Sequence, residues 1–212
     1  MRPELPPLPE RMRDLPVSPR GYPVPYFVAW VNGEPDFRVM DGKKLNEALR
    51  WKLCWLCGQR MLGRHVAFVI GPMCAVNRTS AEPPSHRECA EYAVRACPFL
   101  TRPDARRRET NVPDGVVDPA GEMLRRNPKA SLIWITKNPK PVSDDRGGIL
   151  FNVGAPVETS WWFEGRPATR AEVLESFETG LPILEEMARK DGPEVVAVFE
   201  RMKATALTLV PA

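Results

Sequence analysis

The sequence predicts an α+β protein: a hairpin and helix near its start, a cysteine-bearing block in the middle, and a small antiparallel sheet with three helices at its end. Three observations carry this expectation. The apolar runs of "YFVAWVNGEPDFRVM" flank Asn32-Gly33, two residues that tolerate positive φ and so close a tight hairpin. The runs "SLIWIT", "GILFNVG" and "VETSWWF" are rich in β-branched and aromatic residues and are bounded by turn formers, as strands are. From Thr169 onward the apolar residues recur at helical spacing, broken by glycine and proline.

A chain of 212 residues can bury a core without covalent staples. Its 43% hydrophobic and 27% charged residues are a globular profile, and a net charge of +3 does not by itself mark a nucleic-acid binder. The 24 prolines are roughly twice ordinary usage. Proline is excluded from helix interiors and central strands, so much of the chain is expected to run as extended connections. No run approaches the ~20 apolar residues of a membrane span, and the first residues lack the apolar core of a signal peptide. The expected location is the cytoplasm, with no membrane partner.

Four stretches follow from the patterning. Residues 1–25 are a proline-rich arm, either loose or packed along the domain through Leu5, Leu8, Leu15 and Val17. Residues 26–97 hold the hairpin, a helix with Leu45, Ala48, Leu49 and Leu53 on one side, and the cysteine block. Residues 98–129 read as an irregular basic linker, a solvated loop rich in proline and charge. Residues 130–212 hold the strands and three helices, expected to pack as one unit with 26–97; a split at the linker is the alternative. Asp144-Asp145 read as a turn. In the helical region, Thr169 with Glu172 forms a capping-box pattern, Val173, Leu174 and Phe177 make an apolar face, and Gly180 is a natural stop. Pro182 then opens a second helix with Ile183, Leu184 and Met187 inward. Pro193 opens the third, with Val195, Val198, Phe199, Met202 and Ala206 on one stripe.

All five cysteines lie between Cys54 and Cys97, an odd set that in a reducing compartment fits metal binding better than disulfides. Cys54-Trp55-Leu56-Cys57-Gly58 offers two thiolates from one turn, and the glycine lets the chain leave sharply. A tetrahedral zinc site needs two more ligands. His86 and Cys89 are one turn apart at the start of an expected helix, where Ser85 can cap and backbone N–H groups favour thiolate charge. Cys74 stands as an alternative to either of them, and Cys97 lies on the inner helix stripe, as a core residue. The intervening "RMLGRHVAFVIGPMCAV" reads as a short hairpin turning near Gly71-Pro72 or Gly63. A Cys₃His set is closed, with no position for water, so the implied Zn²⁺ is structural.

A knuckle, a hairpin, and a helix whose first turn supplies the second ligand pair resemble the treble-clef zinc finger over residues 52–97. That scaffold is also used by HNH nucleases, and His65, Asn77 and His86 occur in the family's order. Laid on the zinc-bearing HNH pattern, His65 falls at the general base and Asn77 at the asparagine. Ala90 stands where the family places a metal-binding histidine, and Arg64 where it usually has an acid. A histidine spent on zinc cannot also hold a catalytic magnesium, and the chain has only two. His65 itself reads as a partly buried strand residue.

The expected function is therefore a zinc-stabilised, non-catalytic binding protein. DNA or RNA is its expected partner, contacted through phosphates by Arg64, Arg78, Arg106, Arg107 and Arg108. The alternatives are a divergent HNH-type metal-dependent nuclease using His65 and Asn77, and a protein-interaction module using tryptophans and the proline-rich arm. The loop "NRTSAEPPSH" reads as a surface loop with side-chain caps, or as an anion site at a helix start. Among the six tryptophans, Trp161 and Trp162 must point to opposite sheet faces and are expected to be covered; an exposed tryptophan beside arginine suits base stacking or a protein partner.

Overall fold

The computed structural model describes residues 1–107, 110, 120–121, 126–144 and 147–212. Among these, five α-helices and three small antiparallel sheets form, the mixed α+β class the sequence predicts. After a 3₁₀ turn at Glu10–Met12, β1 (Val28–Val31) and β2 (Glu34–Met40) make the expected hairpin. Asn32 and Gly33 take φ of 51° and 83°, the doubly positive turn that matches strand twist. Asp41 caps α1 (Gly42–Trp51) through its side chain, which accepts from the N–H groups of Lys43 and Lys44. Left-handed Lys52 ends that helix, and the Leu53 N–H returns to the Ala48 carbonyl.

Next come β3 (Val66–Ile70), α2 (Pro72–Asn77), the two-residue β4 (Thr79–Ser80) and α3 (Arg87–Ala96). Beyond the linker lie β5 (Ser131–Thr136), β6 (Lys140–Ser143), β7 (Ile149–Asn152), β8 (Pro156–Phe163) and β9 (Arg166–Pro167), then α4 (Arg170–Asp191) and α5 (Pro193–Leu207). The largest sheet has the order β3-β5-β8-β9, and a smaller one the order β4-β7-β6.

Strand β5 is buried along its whole length, because the sheet is covered on both faces. Side chains alternate along a strand. Leu132 and Trp134 face the cluster built with Val173, Phe177 and Phe199 of α4 and α5. Ile133 and Ile135 face the opposite cluster, with Ala90 and Val94 of α3 and Ala67 of β3. Trp161 and Trp162 divide in the same way, and both are covered. Trp161 packs edge-on to Phe177 at 5.6 Å and donates to the Leu209 carbonyl, while Trp162 lies against the α3 face. The capping box of Thr169 and Glu172 forms as expected.

Several local expectations are corrected. No hairpin forms within residues 60–76. Strand β3 pairs with the distant β5, and it meets the segment before α3 only at the Ala67–Ser85 bridge. Pro72 is a good first residue for a helix, and α2 buries Ala75 and Val76. Ser85 spends its backbone on that bridge, and His86 takes the N-cap position with no side-chain cap. His65 is exposed and precedes β3, outside the strand.

Gly180 does not stop a helix: α4 runs through it and through Pro182, so two helices follow the sheet where three were expected. The glycine serves a close approach, since a Cβ there would lie 2.8 Å from the Met73 sulfur of α2. An internal proline costs a helix ~3 kcal/mol, and here its neighbours Leu181 and Leu184 pack on the core. With the helix continuous, the inward set shifts to Leu181, Leu184 and Ala188, and Ile183 and Met187 are exposed. On α5, Val196 replaces Val195 and Val198 on the buried side, beside Phe199, Met202 and Ala206.

Phe177→Ala should cost ~3–5 kcal/mol of unfolding free energy in a urea titration. Val142→Ala, on exposed β6, should stay within ~0.5 kcal/mol. Equal losses at the two sites would contradict this placement of the core.

Candidate metal centre

The donor atoms of Cys54, Cys57, His86 and Cys89 lie within 4.8 Å of one another. The turn after α1 places the first pair. Leu53 bridges Arg60, the Cys54 N–H donates to the Gln59 carbonyl, and the Gly58 N–H donates to the Cys54 carbonyl, which folds both thiols inward. Gly58 takes φ +75° beneath Tyr26, and a Cβ there would sit 2.7 Å from the Tyr26 ring. The second pair comes from the N-cap and first turn of α3. The two halves are joined through Trp55, whose backbone N–H donates to the Pro84 carbonyl and whose ring stacks on Phe27 at 5.2 Å.

The spacing suits a four-coordinate metal. Zinc with Zn–S near 2.3 Å and Zn–N near 2.0 Å has tetrahedral S···N edges of about 3.5 Å. Here Cys57 Sγ is 3.4 Å and Cys89 Sγ 4.0 Å from His86 Nδ1. His86 Nε2 lies 3.3 Å from the Arg60 carbonyl. A proton on Nε2 donated to that oxygen leaves the Nδ1 lone pair for a metal, the usual outer support of a histidine ligand. Cys54 also accepts from the N–H groups of Cys57 and His86 at 3.5 and 3.4 Å. Three thiolates and one imidazole are a structural zinc set, and the residues present fit that ion.

Without a metal the cluster divides its protons unevenly. Burial opposes ionisation of Cys54, but hydrogen bonds from Cys57, Cys89 and His86 outweigh it and hold this thiol far below its usual range. Cys89, hydrogen-bonded to Cys54 and Cys57, is held far above. His86 is pushed up to about 10, first by its hydrogen bond to Cys54 and then by that to Cys57. A metal must displace these protons to use all four donors, so its binding weakens as pH falls.

Cys54 and Cys89 are fully buried, and part of their cover is the proline-rich arm. Met12 packs into the cluster, with Leu5, Leu8 and Leu15 around it. Arg11 clasps both halves of the site, donating to Glu88 of α3 at 2.8 Å and to Gln59 of the knuckle at 3.3 Å. The arm is thus the packed one of its two readings. Cys74 sits on α2 against the main core, where burial pushes its thiol up to about 11, and Cys97 ends α3; neither joins the donor group.

The other candidates are scattered. His65 is exposed ahead of β3, and Asn77 ends α2 with its carboxamide oxygen accepting from the Thr79 N–H. Among the described residues no second group of three or more histidine, cysteine or acidic donors gathers. Arg64 and Arg106 are exposed. Arg78 is the left-handed cap of α2, and Arg107 donates to the Arg38 carbonyl of β2. Arg108 lies outside the described residues. The sequence reading missed the Arg60 carbonyl, the Tyr26 cover over Gly58 and the Arg11 clasp. No local motif marks them.

No protein-family model, curated protein or solved structure matches the chain. Among the described residues no helix is long and apolar enough to cross a membrane.

Native mass spectrometry should find one zinc per chain, lost in both Cys54→Ser and Cys89→Ser and retained in Cys74→Ser. Retention in Cys54→Ser or Cys89→Ser would remove that residue from the ligand set. Gly58→Ala should cost ~1–2 kcal/mol from the left-handed backbone alone, with more from the Tyr26 clash, and should weaken metal retention in a chelator competition.

Proposed function

We propose that this chain is a zinc-stabilised, non-catalytic binding protein whose partner is nucleic acid. The observation that carries the reading is the closed Cys₃His cluster under the N-terminal arm. Four protein donors complete a tetrahedron, so the metal has no position for water or substrate and acts by fixing the chain. The order of knuckle, β3 with its Ala67–Ser85 bridge, and helix supports a treble-clef reading in which α2 and β4 interrupt the hairpin.

Nucleic acid is favoured as partner by the cations around this centre. Arg64 is exposed just beyond the knuckle and Arg106 is exposed on the linker. Arg50, Lys52, Arg60 and Arg64 form no ion pair among the described residues, whereas Arg87, Arg166, Arg189 and Lys203 each hold a carboxylate. Unpaired exposed cations are ready to displace counterions from phosphates. The nuclease alternative draws no support from the placement of His65 and Asn77 described above.

Fluorescence anisotropy with labelled oligonucleotides across a salt series tests this. Binding should weaken linearly on a log–log plot as salt rises, by ~0.7–0.9 of slope per phosphate contacted. Arg64→Ala should lower affinity about equally for all sequences. Absence of binding at low salt would remove nucleic acid as the partner.

A further inference from the structure

Trp51 is the last residue of α1 and remains 46% exposed, although its neighbours are charged. The Arg50 guanidinium lies 4.9 Å and that of Arg60 5.7 Å from its ring centroid, both within cation–π range. Trp51, Arg50, Lys52, Arg60, Met61 and Leu62 line a concavity of about 270 Å³. None of the six is acidic. Glu47, one helical turn before Trp51, is engaged by the Tyr26 hydroxyl at 2.6 Å. Leu62 is 89% exposed and extends the apolar part of the surface.

The metal centre holds this face together. Trp51 and Lys52 lie just before the cysteine turn and Arg60 to Leu62 just after it. The Leu53–Arg60 bridge and the Met61 N–H donating to the Lys52 carbonyl bring the two sides together. The Arg60 carbonyl is also the acceptor facing His86 Nε2. Left-handed Lys52 turns the chain away from the helix axis at this point.

We infer that this face is a platform for single-stranded nucleic acid, on which Trp51 stacks a base while Arg50, Lys52 and Arg60 take the neighbouring phosphates. The inference rests on the nucleic-acid reading above and locates its site. An exposed indole ringed by unpaired cations and free of acids complements a stacked base with anionic flanks. A base on the indole competes with the guanidinium groups for the ring, and an arginine so released reaches a phosphate. Duplex DNA offers neither an unstacked base nor a splayed strand, so the platform favours single strands. A protein partner would have to supply carboxylates for three cations, since none of the lining residues is acidic, whereas a nucleic acid carries an anion beside every base.

The test compares a labelled mixed-sequence single strand of about 15 nucleotides with its duplex, using intact zinc-loaded protein. Trp51→Ala should weaken single-strand binding about tenfold, and Trp51→Phe should keep most of it. Arg50→Ala with Arg60→Ala should weaken binding and lower the salt slope by ~1.4, two phosphates' worth. Zinc content and unfolding midpoint should match wild type in every variant. Wild-type binding that survives both Trp51→Ala and the double arginine variant would overturn the platform and leave the nucleic-acid reading standing. Failure of wild type to bind either oligonucleotide at low salt would overturn both and leave this surface to a protein partner.

Discussion

The convergence of Cys54, Cys57, His86 and Cys89 is the constraint on which the first half of the structure depends. It ties the turn after α1 to the start of α3 across nearly thirty residues of chain. Closing a loop of that length costs ~3–4 kcal/mol of conformational entropy by the same arithmetic that applies to a disulfide. A metal bound at four protein donors can offset that cost several times over. Packing contributes separately, because Trp55 stacks on Phe27 and its backbone N–H donates to the Pro84 carbonyl, contacts that use none of the four donor atoms. The donors are therefore brought close by packing and would be locked by the ion.

The donor cluster is not isolated from the rest of the core. Helix α3 carries Cys89 on one side and places Ala90 and Val94 against Ile133 and Ile135 of β5 on another. Strand β5 in turn presents Leu132 and Trp134 to α4 and α5. One strand, buried on both faces, thus lies between the helix that carries Cys89 and the C-terminal helices. This explains why β5 reads as an uninterrupted apolar run while its antiparallel neighbour β8 is mixed.

What was legible in the sequence was local. The Asn32-Gly33 turn, the Thr169 capping box, the strands β5, β7 and β8 and the spacing within each of the two donor pairs depend on residues a few positions apart. What was not legible depends on partners far along the chain. The pairing of β3 with β5 replaced the expected hairpin, and nothing near Val66–Ile70 specifies that partner. Gly180 has the form of a helix stop, and only the approach of Met73 shows why a glycine stands there within a continuous α4. The inward stripe of α5 was misplaced by a fraction of a turn, since valines at 195, 196 and 198 give a helical pattern too little contrast. An exposed tryptophan beside arginine was recognisable as a type of binding feature, but which tryptophan it was depends on the cysteine turn that carries Arg60 back to Trp51.

The N-terminal arm follows from the same physics. Ordering each residue of such an arm costs ~1–2 kcal/mol, and the arm offsets part of this with backbone hydrogen bonds of its own, among them the Arg2 N–H to the Gly21 carbonyl and the Ser18 N–H to the Tyr22 carbonyl. Proline lowers that cost, because its φ is already fixed in the unfolded chain. Apolar contact supplies the rest. Met12 of the arm is buried beside Cys54, Cys57, Cys89, Tyr92 and Ala96, and Leu5, Leu8 and Leu15 pack partly buried around them. Arg11 reaches both Gln59 and Glu88, so its two contacts coexist only when those elements are already held together. The arm is therefore fastened across the two halves of the donor cluster, and its Arg11 contacts depend on the convergence beneath it.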